Sequence, residues 1–535
     1  MYLNGIMIKL YYLFKFKNFK AMGKVKLLSA LLISFTLLFS CHNHKNGDQG
    51  YSLGKVELDV TGDKQAAQMF IKGLLLLHSF EYVDAREEFI RVQEEDPDLL
   101  MAYWGEAMTY NHTLWRNQDY EKGSEAITKA LKNENFSSLT ELEKDFINSV
   151  GVLYRSGSSK SERDELYSEY LHKMTEKYPG NQEVASFYSL SLLGKVKTTR
   201  NYEVFGQAAE VAKEVLSENP QHPGALHYLI HSYDDPGHAR LAIQAANSYG
   251  KVAPDAAHAL HMPSHIYVAM GMWDAVVEAN ERSYQASVDR KLRKDLDNDA
   301  RGYHSFHWLQ YGYLQQGKED KAKEMVENMA LYTKEKPSTR ARAHLVYLKG
   351  TYLVETEDWN SDIANIVVET EGLNILERAN YNFIDGMKAY ESRDSKSLEL
   401  VITSLKIQIE EEEVKVNDTG ISICSGESRD MVRQSDVDAA RSTEFQLRAL
   451  LEKLNGNLEQ TEKYLLKAIE LEEKAGYNYG PPAIQKPSHE MLADWLVEQK
   501  RIDEAYLYYE QTLKRHPNRM KAVNSQQKLG YVKTM

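Results

Sequence analysis

The sequence predicts an all-α protein: a solenoid of stacked antiparallel helix pairs running from residue 64 to about 530. Three observations predict it. Strand-like alternation is scarce, and apolar residues recur at helical spacing over helix-length runs. Prolines are few, 12 in 535 residues, and several stand just past such a run: Pro97, Pro179, Pro220, Pro254 and Pro517. Proline there stops a helix, because it cannot continue the hydrogen-bond ladder. Pro220 and Pro254 are 34 residues apart, enough chain for one helix-turn-helix unit.

The chain begins with something else. From Met22, Lys24 and Lys26 form a basic start, and Leu27 to Phe39 is an apolar run too short to span a bilayer comfortably. It ends in Leu38-Phe39-Ser40-Cys41, which resembles a bacterial lipobox. That resemblance implies cleavage before Cys41, lipidation of Cys41 and anchoring in a bacterial cell envelope. His42 follows where an aspartate would favour the inner membrane, so the outer membrane is expected. Residues 1–41 thus read as an upstream segment and signal peptide, and the polar stretch 42–63 as a flexible tether. With Cys41 lipidated, Cys424 has no internal disulfide partner, and the fold must rest on its core. A formal net charge of −13 argues against nucleic acid as a partner.

Within 64–411 the repeat has a register. With Pro97 closing a unit, Gly73 takes a small position, Ala85 a second and Phe89 an aromatic one. Ala493, Ala505 and Tyr509 stand likewise before Pro517, and Tyr233 and Ala242 before Pro254. Tyr313 and Ala322 fit the same frame. Small residues let two helices approach, and large ones fill the space beside them. This is similar to the tetratricopeptide (TPR) pattern, whose units stack because one pair cannot bury its apolar face alone. Two segments break the rhythm. Residues 412–437 are polar and turn-rich and read as a loop; 477–490 is a Gly/Pro elbow inside the C-terminal helices, 438–535.

The centre, 222–307, holds nine of the 17 histidines. The run HALHMPSHIYVAMGMWD, 258–274, contains His258, His261 and His265. His227 and His231 are i,i+4, as are His261 and His265; His304 and His307 are i,i+3. Rings at those spacings share a helix face. These six fall on the first helices of three successive pairs, which in a repeat of this type line the inner groove. Neutral imidazole is a common ligand of zinc and copper, and a helical pair plus a third ring makes a three-histidine set with one position open. Pro263 is expected to kink its helix, and Asp234 and Asp235 are candidate acceptors that orient ligand rings. No HExxH, P-loop, GxSxG or CxxC supplies a reaction.

The blocks HYLIH (227–231), HMPSHI (261–266) and Trp273 to Asn280, with AYWGEAM (102–108) and YGPPAIQKPSHEMLADWL (479–496), resemble a family of exported bacterial TPR proteins. The resemblance implies the fold and export and leaves the reaction unassigned. Two expectations follow. One is a lipid-anchored repeat protein whose concave groove, with a histidine-lined site, binds a protein, a peptide or a small ligand. The other is a transition-metal protein or metalloenzyme using histidines of three neighbouring repeats.

Overall fold

The computed structural model describes residues 51–196, 200–416, 432–477 and 479–530. The expected signal peptide, the lipidation site Cys41 and the first part of the tether lie outside the described residues, as does the core of the 412–437 loop with Cys424.

The fold is an all-α helical repeat. Lys64–His78 pairs with Tyr82–Glu95, and consecutive helices continue to pair up to Ile502–Arg515, closed by Met520–Lys528. Asp63 starts the first helix by accepting from the amides of Gln65 and Ala66, donors that the helix cannot satisfy itself. The small-against-large rule is visible at Phe89. A Cβ on Gly73 would lie 2.7 Å from its ring, and one on Gly105 of the next helix, Met101–Thr109, would lie 2.4 Å away. Ala493, Ala505 and Tyr509 are buried in the same manner near the other end. The described strands are only Asn111–His112 paired antiparallel with Asn117–Gln118. No helix among the described residues is long and apolar enough to cross a membrane.

Three places depart from the sequence reading. Residues 52–63, expected as tether, pack on the helices: Leu53 is buried, Lys55 donates its amide to the Gln221 carbonyl, and the Thr61 hydroxyl donates to Glu143 at 2.7 Å. The 412–437 loop is helical at both ends, in Ser395–Glu413 and from Gln434. The third departure concerns the groove. Every residue of the central helix Pro223–Ser232 is buried, and all of Tyr303–Gln315 except His304. Segment 479–485 packs on this part of the chain: Arg200 donates to the Tyr479 hydroxyl, Gly480 lies on Trp308, and Gln485 packs on Gly350. Arg519, fully buried, bonds Glu490 at 2.5 Å, Tyr311 and Glu355, which ties the last repeat to the middle of the chain.

Candidate metal centre

Six histidines form two groups of three. His222 caps the helix Pro223–Ser232 by accepting from the Ala225 amide, and Pro223 occupies the first turn, where its missing N–H costs nothing. One turn on, His227 and His231 share a face, their Nε2 atoms 3.1 Å apart. His258, from the start of Ala257–His261, brings its Nε2 to 3.2 Å from that of His227. The second group is the first displaced by one repeat: His261 and His265 stand 34 residues after His227 and His231. Their Nε2 atoms are 3.2 Å apart, and His304 joins them with its ring centroid 4.6 Å from that of His261. In each group the three donor nitrogens lie within 4.8 Å of one another. The groups are neighbours, with His231 and His265 ring centroids at 5.8 Å. Pro263 interrupts the helix between Ala257–His261 and Pro263–Ala269, yet Met262 keeps helical angles, so His261 and His265 stay in phase.

The surrounding bonds decide which nitrogen faces inward. The Asn280 amide donates to the Val276 carbonyl, which turns its Oδ1 to accept from His261 Nδ1 at 2.7 Å. His265 Nδ1 donates to Asp234 at 2.5 Å, and His227 Nδ1 donates to the His78 carbonyl at 2.8 Å. In the neutral rings, Nε2 of His227, His261 and His265 is therefore a lone pair. Burial pushes His227 and His261 down to about 3. Burial, reinforced by the neighbouring rings, holds His231, His258 and His304 well below the usual histidine range. The Nε2 of His304 is buried and has no partner among the described residues.

One aromatic ring covers each group. Phe80 lies 4.3 Å from His227, 5.7 Å from His258 and 6.2 Å from His231, centroid to centroid. Trp308 lies 4.5, 4.8 and 5.3 Å from His265, His261 and His304. Phe80 ends the helix Lys64–His78 with φ +55°, while its amide bonds the Leu77 carbonyl and that of Glu81 the Leu76 carbonyl. Glycine usually holds that left-handed position, and a side chain there costs roughly 1 kcal/mol.

The predicted site residues divide. His227, His231, His261, His265 and His304 are gathered, and Asp234 holds His265. His307 is a correction. The next helix engages it instead: it bonds the Thr351 hydroxyl at 3.0 Å and stacks on Tyr347. His258, which has no i,i+4 partner, takes its place. Asp235 is the second correction: its carboxylate meets His238 at 2.9 Å and Arg200 at 3.3 Å and orients no ring of either group. Sequence reading also missed a third cluster, His78, Glu183 and His222. His222 Nε2 and His78 Nε2 donate to the two Glu183 oxygens at 3.0 and 2.7 Å, and His78 Nδ1 meets the Tyr228 hydroxyl. Burial would raise Glu183, but the two rings outweigh it and hold the carboxylate at about 2. All four ring nitrogens there have partners, so the cluster reads as a clamp.

Beside the two groups lies a cavity of about 450 Å³, lined among others by Phe80, Tyr82, Trp115, His258, His304 and Arg301.

No family model and no curated protein matches the chain. Among solved structures, yeast Tom70 is similar over 88% of this chain and 96% of that one, at 14% identity and a TM-score of 0.32. The human IFIT1 dimer with m7Gppp-AAAA is similar over 80% and 81%, at 13% identity and a TM-score of 0.35. The APC/C hetero-tetramer Cut9-Hcn1 is similar over 94% and 81%, at 11% identity and a TM-score of 0.35.

Proposed function

We propose that the protein binds two transition-metal ions, zinc or copper, one in each three-histidine group. One observation carries the reading: the Nε2 atoms of His261 and His265 face each other at 3.2 Å, with Nδ1 of each ring turned to Asn280 and Asp234. Two lone pairs at that distance repel unless a cation lies between them. Tetrahedral ligands about 2.0–2.1 Å from a metal stand roughly 3.3 Å apart, close to the separations of His227 from His231 and His258 and of His261 from His265. Neutral imidazole is the ligating form, and burial favours it at His227, His231, His258, His261 and His304. Three protein ligands leave a position for water or substrate, the arrangement of a catalytic rather than a closed structural site. A zinc ion there would acidify its bound water; copper would bring redox chemistry. The reading includes a lipid anchor at Cys41 holding this centre in the cell envelope.

Elemental analysis of the full chain, purified without a histidine tag, tests it. Two ions per chain are expected, one in His227→Ala or His265→Ala, and none in the double variant. A chain that stays metal-free after exposure to zinc and copper overturns the proposal.

A second reading, a repeat scaffold for a protein, peptide or small ligand, is supported at the C-terminal repeats. A cavity of about 420 Å³ there is walled by Trp359, Phe383, Met387, Tyr390 and Met491, and lined by Trp495. The Trp495 Nε1 is buried and has no partner among the described residues. Met387→Lys would put a charge on its wall and release a bound partner without changing metal content.

A further inference from the structure

We infer that the cavity beside the histidine groups binds a small aromatic anion; this rests on the metal reading for one of its three contacts. Three kinds of surface meet there. The first is flat and aromatic. Phe80 stacks on Tyr82 with centroids 5.1 Å apart and planes 18° apart, and Tyr82 stacks on His112 at 4.1 Å. Trp115 stands beside them, 5.3 Å from Phe80 and 5.9 Å from His258, and is half-buried. Such a wall favours a planar ring, because offset and edge contacts between π systems add to simple burial.

The second surface is the edge of the metal centre. His258 and His304 are the two ligand histidines that keep some exposure, one from each group, and both line the cavity. A ligand seated here therefore reaches both ions through their outermost ligands.

The third is charged. Arg290 lines the cavity together with the carboxylates Glu81, Asp84, Glu87 and Asp299, and Asp84 occupies its guanidinium. Arg301 is different. It donates to the Asn298 side-chain oxygen at 2.9 Å and to the Tyr284 hydroxyl at 3.2 Å, and lies over the Tyr332 ring. All of these are neutral acceptors, and no carboxylate lies at ion-pair distance among the described residues. A guanidinium with neutral neighbours at the mouth of a cavity is suited to a carboxylate or phenolate. A flat wall, a metal edge and one guanidinium without an ion pair together suit an aromatic ring whose anionic group reaches Arg301, rather than an aliphatic acid or a neutral arene.

Calorimetric titration of the full, metal-loaded chain with 4-hydroxybenzoate tests this, with cyclohexanecarboxylate as the control. The aromatic acid should bind at least tenfold tighter than the control. Trp115→Ala and Arg301→Gln should each weaken it at least tenfold, with circular dichroism and metal content unchanged. No saturable binding by a chain that carries its ions, or equal binding by wild type and both variants, overturns the inference alone. Binding that responds to both variants in a chain without metal upholds the cavity and overturns the metal reading; a chain with neither overturns both.

Discussion

The Asp234 carboxylate lies 2.5 Å from Nδ1 of His265, with both side chains buried. A carboxylate behind a ligand imidazole fixes its tautomer and raises its basicity. Asp234→Asn keeps the shape and removes the charge. Metal affinity of the His261–His265–His304 group should fall about 10- to 100-fold, while the His227 group keeps its ion. Competition against a chromophoric chelator would resolve the two sites.

Gly480 has φ +88°, and a Cβ there would sit 2.1 Å from the Trp308 ring. Backbone and ring thus both exclude a side chain. Gly480→Ala should destabilise the fold by about 2 kcal/mol or more and loosen Trp308 from the second group. Urea unfolding gives the first number, and tryptophan emission reports the second. Unchanged stability would mean that segment 479–485 does not pack on Trp308 as described.

Phe80 offers the opposite experiment. Phe80→Gly relieves a left-handed backbone, worth roughly 1 kcal/mol, but removes a buried ring worth about 2–3 kcal/mol. The net loss should be on the order of 1–2 kcal/mol, smaller than for Phe80→Ala, which loses the ring without the relief. Both variants should release the first ion faster, as measured by stopped-flow transfer to a chelator.

Acid should act through Glu183. Its carboxylate is held at about 2 in the fold, below its ordinary value near 4.3. A depressed folded value means stability that is full above the ordinary range and lost as pH falls from there through about 2. That loss should amount to roughly 3 kcal/mol. Glu183→Gln should be less stable than wild type at pH 7 and should lack this part of the acid dependence, as unfolding curves at stepped pH would show.

Much of this was legible in the sequence because it is local. The helix pairs follow from small residues such as Gly73 facing large ones such as Phe89 within one unit. The pairs His227/His231 and His261/His265 follow from helical phase alone. The third histidine of each group does not. His258 and His307 look equally eligible, and the choice depends on how the next helix is turned against its neighbour. Phe80 was hidden for another reason: a helix end with φ +55° is expected to carry glycine, so nothing in the letter signals that its ring roofs a group 147 residues away. The packing of Tyr479 to Gln485 was illegible because this segment joins helices of the C-terminal repeats and packs on the middle of the chain. Residues 52–63 read as a polar tether since their few apolar residues, Leu53, Val56, Leu58 and Val60, stand among polar ones and show no helical period.

The kinked stretch from Ala257 to Ala269 gives His258 to one group and His261 and His265 to the other. It is a shared hinge-pin. On the two-ion reading, an ion in either group would pull on the same backbone that carries ligands of the other. The two occupancies would then be linked through this backbone, and a titration of the wild-type chain should show filling that departs from two independent sites.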